Sequence, residues 1–167
     1  HCFRRLGVEY VYEDKSMTVR TSGVSAAWLR LWSGDKPEKG SHFTEEDEER
    51  MNRVAVIGAG VARTLFGDEN PLGKTVRINN VNVEIKGVFR ERGGGMDNIA
   101  YMPFSTFSKR INRMDHLTMA MAHLTDPSEK DATMAGIENL MRQRHQIASG
   151  NPDDFRLTSP IDAMQQQ

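Results

Sequence analysis

Apolar residues along this chain recur with two periods, and the changes from one period to the other outline its elements. Val8, Tyr10 and Tyr12 alternate with polar neighbours, and Met17 to Thr21 reads as a second strand across the polar turn Glu13-Asp14-Lys15-Ser16. Phe3 to Leu6 is expected to be the last turn of a helix that starts earlier. Ser25 is expected to cap a short helix carrying Trp28, Leu29, Leu31 and Trp32, and Thr44 to cap another whose first turn holds Glu45, Glu46 and Asp47, where the helix dipole favours acids. Val54 to Ile57 is a continuous apolar run, followed by a helix that Gly67 and Pro71 stop after little more than two turns.

The clearest local signal is a hairpin. With Asn79-Asn80 as a two-residue turn tolerant of positive φ, Ile78 faces Val81 and Val76 faces Val83 on one side, while Thr75, Arg77, Asn82 and Glu84 fall on the other. One face is therefore buried and one wet. Arg90 to Asp97 is a glycine-rich tongue, Ile99 to Met102 a strand that Pro103 ends, and Ser105 the expected cap of a helix through Ile111. Leu117 to Leu124 reads as a strand. Asp126-Pro127 pairs an N-cap with proline at the first helical position, and Met134, Ile137, Leu140 and Met141 form one apolar helix face expected to pack on a sheet. Asp154 to Ser159 reads as a last strand and Ser159-Pro160 as a last helix start. Hairpins followed by strand, long helix and strand indicate an α+β fold in two subdomains with mixed and antiparallel sheets.

Composition narrows the function classes. A net charge of -1 over 167 residues supplies no excess basic face for nucleic acid. Cys2 is the one cysteine, which excludes an internal disulfide and a cysteine-based zinc site. No apolar run is long enough to span a bilayer. The chain opens at His1 and stops at Gln167 inside an apparent helix start, so it reads as a piece of a longer protein with room for membrane segments on either side.

Two stretches imitate nucleotide-binding motifs. Gly58-Ala59-Gly60 follows an apolar strand, but Arg63 stands where a dinucleotide site needs a third small residue, and the helix is short. Gly67-Asp68-Glu69-Asn70-Pro71-Leu72-Gly73-Lys74-Thr75 ends like a phosphate-binding loop, yet it has five residues between its glycines where that loop has four. Asp68 and Glu69 would repel phosphate, Pro71 has no N–H to offer, and helix precedes loop instead of following it. Both are expected to be backbone corners. The histidines at 1, 42, 116, 123 and 145 lack paired ligand spacing, with His116 and His123 expected on opposite faces of one strand. Asp153-Asp154 are adjacent and diverge, the acids from Glu45 to Glu49 form a solvated helix start, and no serine or cysteine nucleophile signature is present. No catalytic, cofactor-binding or metal residue is expected.

The chain resembles the MacB-like periplasmic core domain of ABC transporter permeases. The matching residues are Gly23-Val24-Ser25, Gly40 with Phe43 to Asp47, Val54 to Gly58, Leu65-Phe66-Gly67-Asp68-Glu69-Asn70-Pro71-Leu72-Gly73-Lys74, Ile85 to Val88, and Tyr101 to Thr106. The resemblance implies two α/β subdomains, one discontinuous (1–16 and 96–167, its first part incomplete) with the other (17–95) inserted in it. It further implies a non-catalytic domain outside the cytoplasmic membrane, between the first two transmembrane helices of a permease that exports or extracts a drug, peptide or lipoprotein. Its partners would be a cytoplasmic ABC ATPase, separate or fused, a second permease, and a periplasmic adaptor or substrate protein. Two other classes stand beside it: a nucleotide-dependent enzyme using Gly58 to Gly73, and a free-standing extracytoplasmic interaction module.

Overall fold

A computed structural model describes residues 2–34, 36–113, 117 and 119–159. Contacts separate two compact units, His1–Met121 and Ala122–Gln167. The first is organised by a closed ring of strands. β1 (Cys2–Tyr12) and β2 (Lys15–Val24) form an antiparallel hairpin from Arg4↔Gly23 to Tyr12↔Lys15, turning at Glu13-Asp14 with Glu13 at φ 52°. β2 runs parallel to β7 (Ile99–Pro103), and β7 antiparallel to β4 (Val54–Ile57). β4 lies parallel to β6 (Val81–Val88), which pairs antiparallel with β5 (Thr75–Ile78). β5 returns to β1 through Tyr10↔Ile78 and Val11↔Arg77, which closes six strands on themselves. Two short strands extend this ring: β3 (Lys39–Gly40) beside the end of β6, and β8 (Met119–Ala120) beside Cys2 and Phe3.

The period of two sorts side chains into two cores. Ala55 and Ile57 of β4 and Ala100 and Met102 of β7 join Val8, Tyr10, Val19, Val76, Ile78, Val83 and Ile85 in the larger one. Val61, Leu65 and Phe66 of α3 (Ala59–Phe66) and Phe107 fill it further. The opposite faces of the same strands, Val56, Ile99 and Tyr101, meet Ala26 and Leu29 of α1 (Ala26–Ser33), with Phe43 and Phe89, in the second. Inside the first core, burial pushes the Tyr10 phenol up, and its hydroxyl lies 2.9 Å from Thr21 Oγ1.

Several expectations hold in detail. Asn79 and Asn80 have φ of 47° and 63°, and the register Ile78↔Val81, Val76↔Val83 is the one the alternation predicts. Ser25 caps α1 by accepting from Trp28 N–H, and Thr44 starts α2 (Glu45–Glu49) with a reciprocal capping box to Asp47. Asp126 caps a 3-10 turn, Pro127–Glu129, that leads into α5 (Lys130–Arg144).

Others are corrected. Phe3 to Leu6 is strand, because Arg4, Arg5 and Leu6 are paired with Gly23, Ser22 and Thr21, and a ladder to a distant strand overrides a weak local helix signal. Ser105 is no cap: the short helix α4 (Phe104–Thr106) begins before it, and its hydroxyl donates to Glu48 O (2.6 Å), followed by a π turn, Phe107–Ile111. Among the described residues of Leu117 to Leu124, only Met119–Ala120 is strand. Asp154 to Ser159 is not a strand; Asp153 instead binds Arg142 of α5, and Asp154 binds His145, which caps that helix. α5 has no fully buried residue: Met134, Ile137 and Met141 are half-buried and Leu140 is 51% exposed. The helix start at Ser159-Pro160 runs outside the described residues. The contacts separate 1–121 from 122–167, while the division the resemblance implies at 16/17 falls within β2 and that at 95/96 between β6 and β7.

One backbone crossing inside the ring is tight enough to test. Gly40 has φ 76°, and a Cβ there would lie 2.2 Å from Lys86 O, a backbone atom that cannot swing away. Gly40→Ala is expected to cost about 3 kcal/mol, combining strain with a forced separation of β3 and β6. Gly136→Ala, in the middle of α5 with open space around it, is expected to stabilise its helix by about 0.5–1 kcal/mol. Urea unfolding followed by circular dichroism reads both, and an unchanged midpoint for Gly40→Ala would contradict the crossing.

Candidate functional site

The structure explains both glycine motifs without a ligand. Gly58 precedes α3, its N–H donating to Ile99 O (2.8 Å), and a Cβ there would come within 2.3 Å of Asp97 O. At Gly60 a Cβ would lie 2.5 Å from Asn98 Oδ1 and 3.0 Å from Asp97 O. The space a pyrophosphate would need over these glycines is filled by the chain's own 97–99 segment, so the small residues serve a close crossing. β5, which follows α3, is antiparallel to β6 as expected, but β6 itself runs parallel beside β4, a neighbour relation the local pattern does not reveal.

In the second motif the lysine has its counter-ion within the loop. Lys74 Nζ lies 2.6 Å from Glu69 Oε1, and the Tyr12 hydroxyl donates to both Glu69 oxygens at 3.2–3.3 Å. The hydrogen bond from Lys74 holds the Glu69 carboxyl below its ordinary value, and Glu69 lifts Lys74. The cation that a phosphate would require is paired with a carboxylate of the same loop.

Of the histidines, His42 is buried, its Nε2 3.0 Å from Gly34 O and 3.1 Å from Ser33 Oγ. His145 Nδ1 lies 2.6 Å from Asp154 Oδ1. His123 is exposed, and His116 lies outside the described residues, so the relation expected between them does too. Among the described residues no three of His, Cys, Asp and Glu are grouped to hold a metal ion.

The acids of Glu45 to Glu49 have a different role from the solvated helix start that spacing suggested. Asp47 is buried and joins three elements: it accepts from Thr44 N–H (2.8 Å), Asn52 Nδ2 (2.8 Å) and Lys86 Nζ of β6 (2.5 Å). Glu48 accepts from Ala26 N–H (3.1 Å) at the start of α1, and Glu45 pairs with Arg30. With Ser105 donating to Glu48 O and Thr106 to Asn52 O (2.8 Å), α2 fastens α1, β6 and α4 to one another.

On the second core two aromatic layers reach the surface. The Trp28 and Trp32 rings stack at 5.7 Å with 11° between planes, Tyr101 meets the Trp32 ring at 5.1 Å, and Phe89 stands edge-on to Tyr101 at 5.6 Å. Trp28, Trp32, Tyr101, Ile99 and Met96 border a cleft of about 150 Å³, with Arg20 and Ser22 at its polar side. The tongue beside it is pinned by Asp97, which accepts from Arg92 and Gly93 N–H (2.8 and 2.9 Å), and by Arg63 bound to Glu91 (2.6 Å). Both tryptophans pack against the second core, and the cleft, which joins β2, α1 and the tongue, has no signature in one stretch.

Comparison with known proteins agrees with this geometry. Residues 3–140 match the family model of the MacB-like periplasmic core domain. The chain is 28% identical over 162 residues, 94% of its length, to the macrolide export ATP-binding/permease protein MacB of Bdellovibrio bacteriovorus, and 32% identical over 144 residues to that of an Azoarcus species. It spans only 25% and 21% of those two relatives. Among solved structures, the extracellular domain of the noncanonic ABC-type transporter YknZ from Gram-positive bacteria superposes with a TM-score of 0.77 at 19% identity, covering 87% of this chain and 74% of that one. The periplasmic region of MacB from Actinobacillus actinomycetemcomitans gives 0.69 at 20%, covering 89% and 76%.

The Asp47 network sets a pH dependence. Burial works to raise the carboxyl, but hydrogen bonds from Asn52, Lys86 and Thr44 outweigh it and hold the group at about 2, against an ordinary 3.8. A depressed folded value means the stabilisation is present above the unfolded value and is lost as pH falls through the folded one, between about pH 4 and pH 2. The loss amounts to about 2 kcal/mol for this group. Asp47→Asn is expected to lower stability at pH 7 and to flatten the acid limb of a stability–pH curve from urea unfolding; an acid limb of unchanged slope would refute the assignment.

Proposed function

Because the chain belongs to the MacB-like periplasmic core domain family, we propose that it is the extracytoplasmic domain of an ABC transporter permease and works as a mechanical element without chemistry of its own. The observation that carries this reading is the family match over residues 3–140, together with a ring fold that superposes on two solved domains from outside the cytoplasmic membrane. The physical construction supports it. A closed ring offers no sliding edge, and α2 with its buried Asp47–Lys86 pair ties the flanking helices to that ring, so displacement at one end moves the unit as a body.

In this reading ATP hydrolysis takes place in another part of the transporter, as a cytoplasmic domain or subunit, and two permease copies move their extracytoplasmic domains together. The MacB relatives are named for macrolide export with ATP-binding and permease functions in one polypeptide. Export or extraction of a drug, peptide or lipoprotein is the corresponding activity for the parent of this chain, with a periplasmic adaptor or a substrate protein as partner. None of the described helices is long and apolar enough to cross a membrane, so the spans of the parent belong to other segments.

Topology tests the proposal. Leu31 is 64% exposed on α1. In the parent protein carrying Cys2→Ser and Leu31→Cys, a membrane-impermeant maleimide is expected to label position 31 in cells with an intact cytoplasmic membrane, above the level of the Cys2→Ser parent alone. Labelling that appears only after the cytoplasmic membrane is broken would remove the extracytoplasmic assignment.

A further inference from the structure

The tongue of residues 90–97 is held differently at its base and at its tip. The chain enters it through Phe89 N–H on Ile57 O (2.8 Å) and leaves it through Ile99 O, which accepts from Gly58 N–H (2.8 Å). Asp97 closes the base by accepting from Arg92 and Gly93 N–H, and Arg63 pairs with Glu91 beside it. Beyond that base Gly93 and Gly94 have φ of 83° and 61°, and a Cβ added at either would meet nothing within 4 Å. The backbone there is free to turn without displacing a neighbour.

The tip comes down on the aromatic cleft. Arg20 Nη2 donates to Gly95 O (2.9 Å), the Arg92 guanidinium lies 4.5 Å from the centroid of the Trp32 ring, and Met96 lines the cleft beside Trp28, Trp32 and Tyr101. Both arginines are exposed, so their contacts compete with water and are individually weak. Met96 is the one apolar side chain between Arg90 and Asp97. It is 40% exposed, within reach of a small oxidant, whereas Met102 is fully buried. Oxidation to the sulfoxide turns a flexible apolar side chain into a polar one, which disfavours an apolar seat. The tongue would then lose its apolar anchor while the bonds at its base remain.

We infer that Met96 is a redox-sensitive latch on this tongue. Oxidation of its sulfur by hydrogen peroxide lifts the tip from the cleft and opens Trp28, Trp32 and Tyr101 to water, and reduction of the sulfoxide seats it again. In the oxidation an S–O bond forms as the peroxide O–O bond breaks. Sulfur gives up two electrons, and the departing hydroxide takes the proton from the new S–OH group, leaving sulfoxide and water. The inference goes beyond the transporter reading and does not depend on it, since tongue and cleft both lie within the first unit.

Both tryptophans of the chain line the cleft, so acrylamide quenching of their emission measures how far it is open. After treatment with hydrogen peroxide, with the added oxygen located on Met96 by peptide mass spectrometry, the quenching constant is expected to rise about twofold. Methionine sulfoxide reductases A and B are expected to bring it back. Met51, Met119 and Met121 are exposed as well but do not line the cleft. Met96→Leu, which keeps an apolar anchor without sulfur, is therefore expected to remove the response while those three still oxidise. Met96→Gln, a polar side chain of similar length, is expected to show the raised quenching without peroxide, and circular dichroism checks that each species stays folded. Oxidation of Met96 with unchanged quenching, the same rise in oxidised Met96→Leu, or a Met96 left unoxidised while Met51 is converted would each overturn the inference.

Discussion

Closure through β1 is the constraint from which the remaining architecture follows. One edge of this strand is taken by β2 and the other by β5, so the hydrogen-bonding groups that would end an open sheet are consumed. Once the ring is shut, period two assigns every second residue of β4 and β7 to the enclosed core and its neighbour to the outer one. The outer core must be covered, and α1 with its two tryptophans does this. Helix α2 contributes little apolar surface; its contribution is polar, with the Glu48 carboxylate taking the start of α1, Asp47 taking Lys86 of β6, and the Glu48 backbone carbonyl accepting from Ser105 of α4.

Local chemistry was legible where one segment contains its own partners. The Asn79-Asn80 turn and the Thr44–Asp47 box are such cases, because the atoms that bond lie within a few residues. Phe3 to Leu6 was misread because its fate is decided by residues 21 to 23, and Ser105 because its hydroxyl finds a carbonyl at Glu48. Asp47 was placed correctly as a helix-start acid, but its link to Lys86 spans a sequence distance no pattern covers. The apolar face of α5 obeys helical spacing and is only half-buried at Met134, Ile137 and Met141, since periodicity states which side is greasy and not how fully anything meets it.

The two glycine motifs teach a related point. Each resembles a ligand loop because a close backbone approach, whatever approaches, calls for the same small residue. At Gly58 and Gly60 the visitor is the carbonyl of Asp97 and the amide side chain of Asn98, and beside Gly73 the lysine is already claimed by Glu69. Counting residues between glycines and noting Asp68, Glu69 and Pro71 argues against a phosphate from the sequence alone, while naming the actual neighbour requires three dimensions. The fold class and the family agree with this picture of a polypeptide built to hold shape.

The pairing of Cys2 with Ala120 and of Phe3 with Met119 brings the incoming strand and the outgoing strand of the first unit side by side. Force that draws those two ends apart across the strand direction opens the antiparallel pairing one rung after another, whereas force along the strands would load both rungs together in shear. With two rungs, the β8 pairing has little ladder to break when the ends of the first unit are drawn apart in that way.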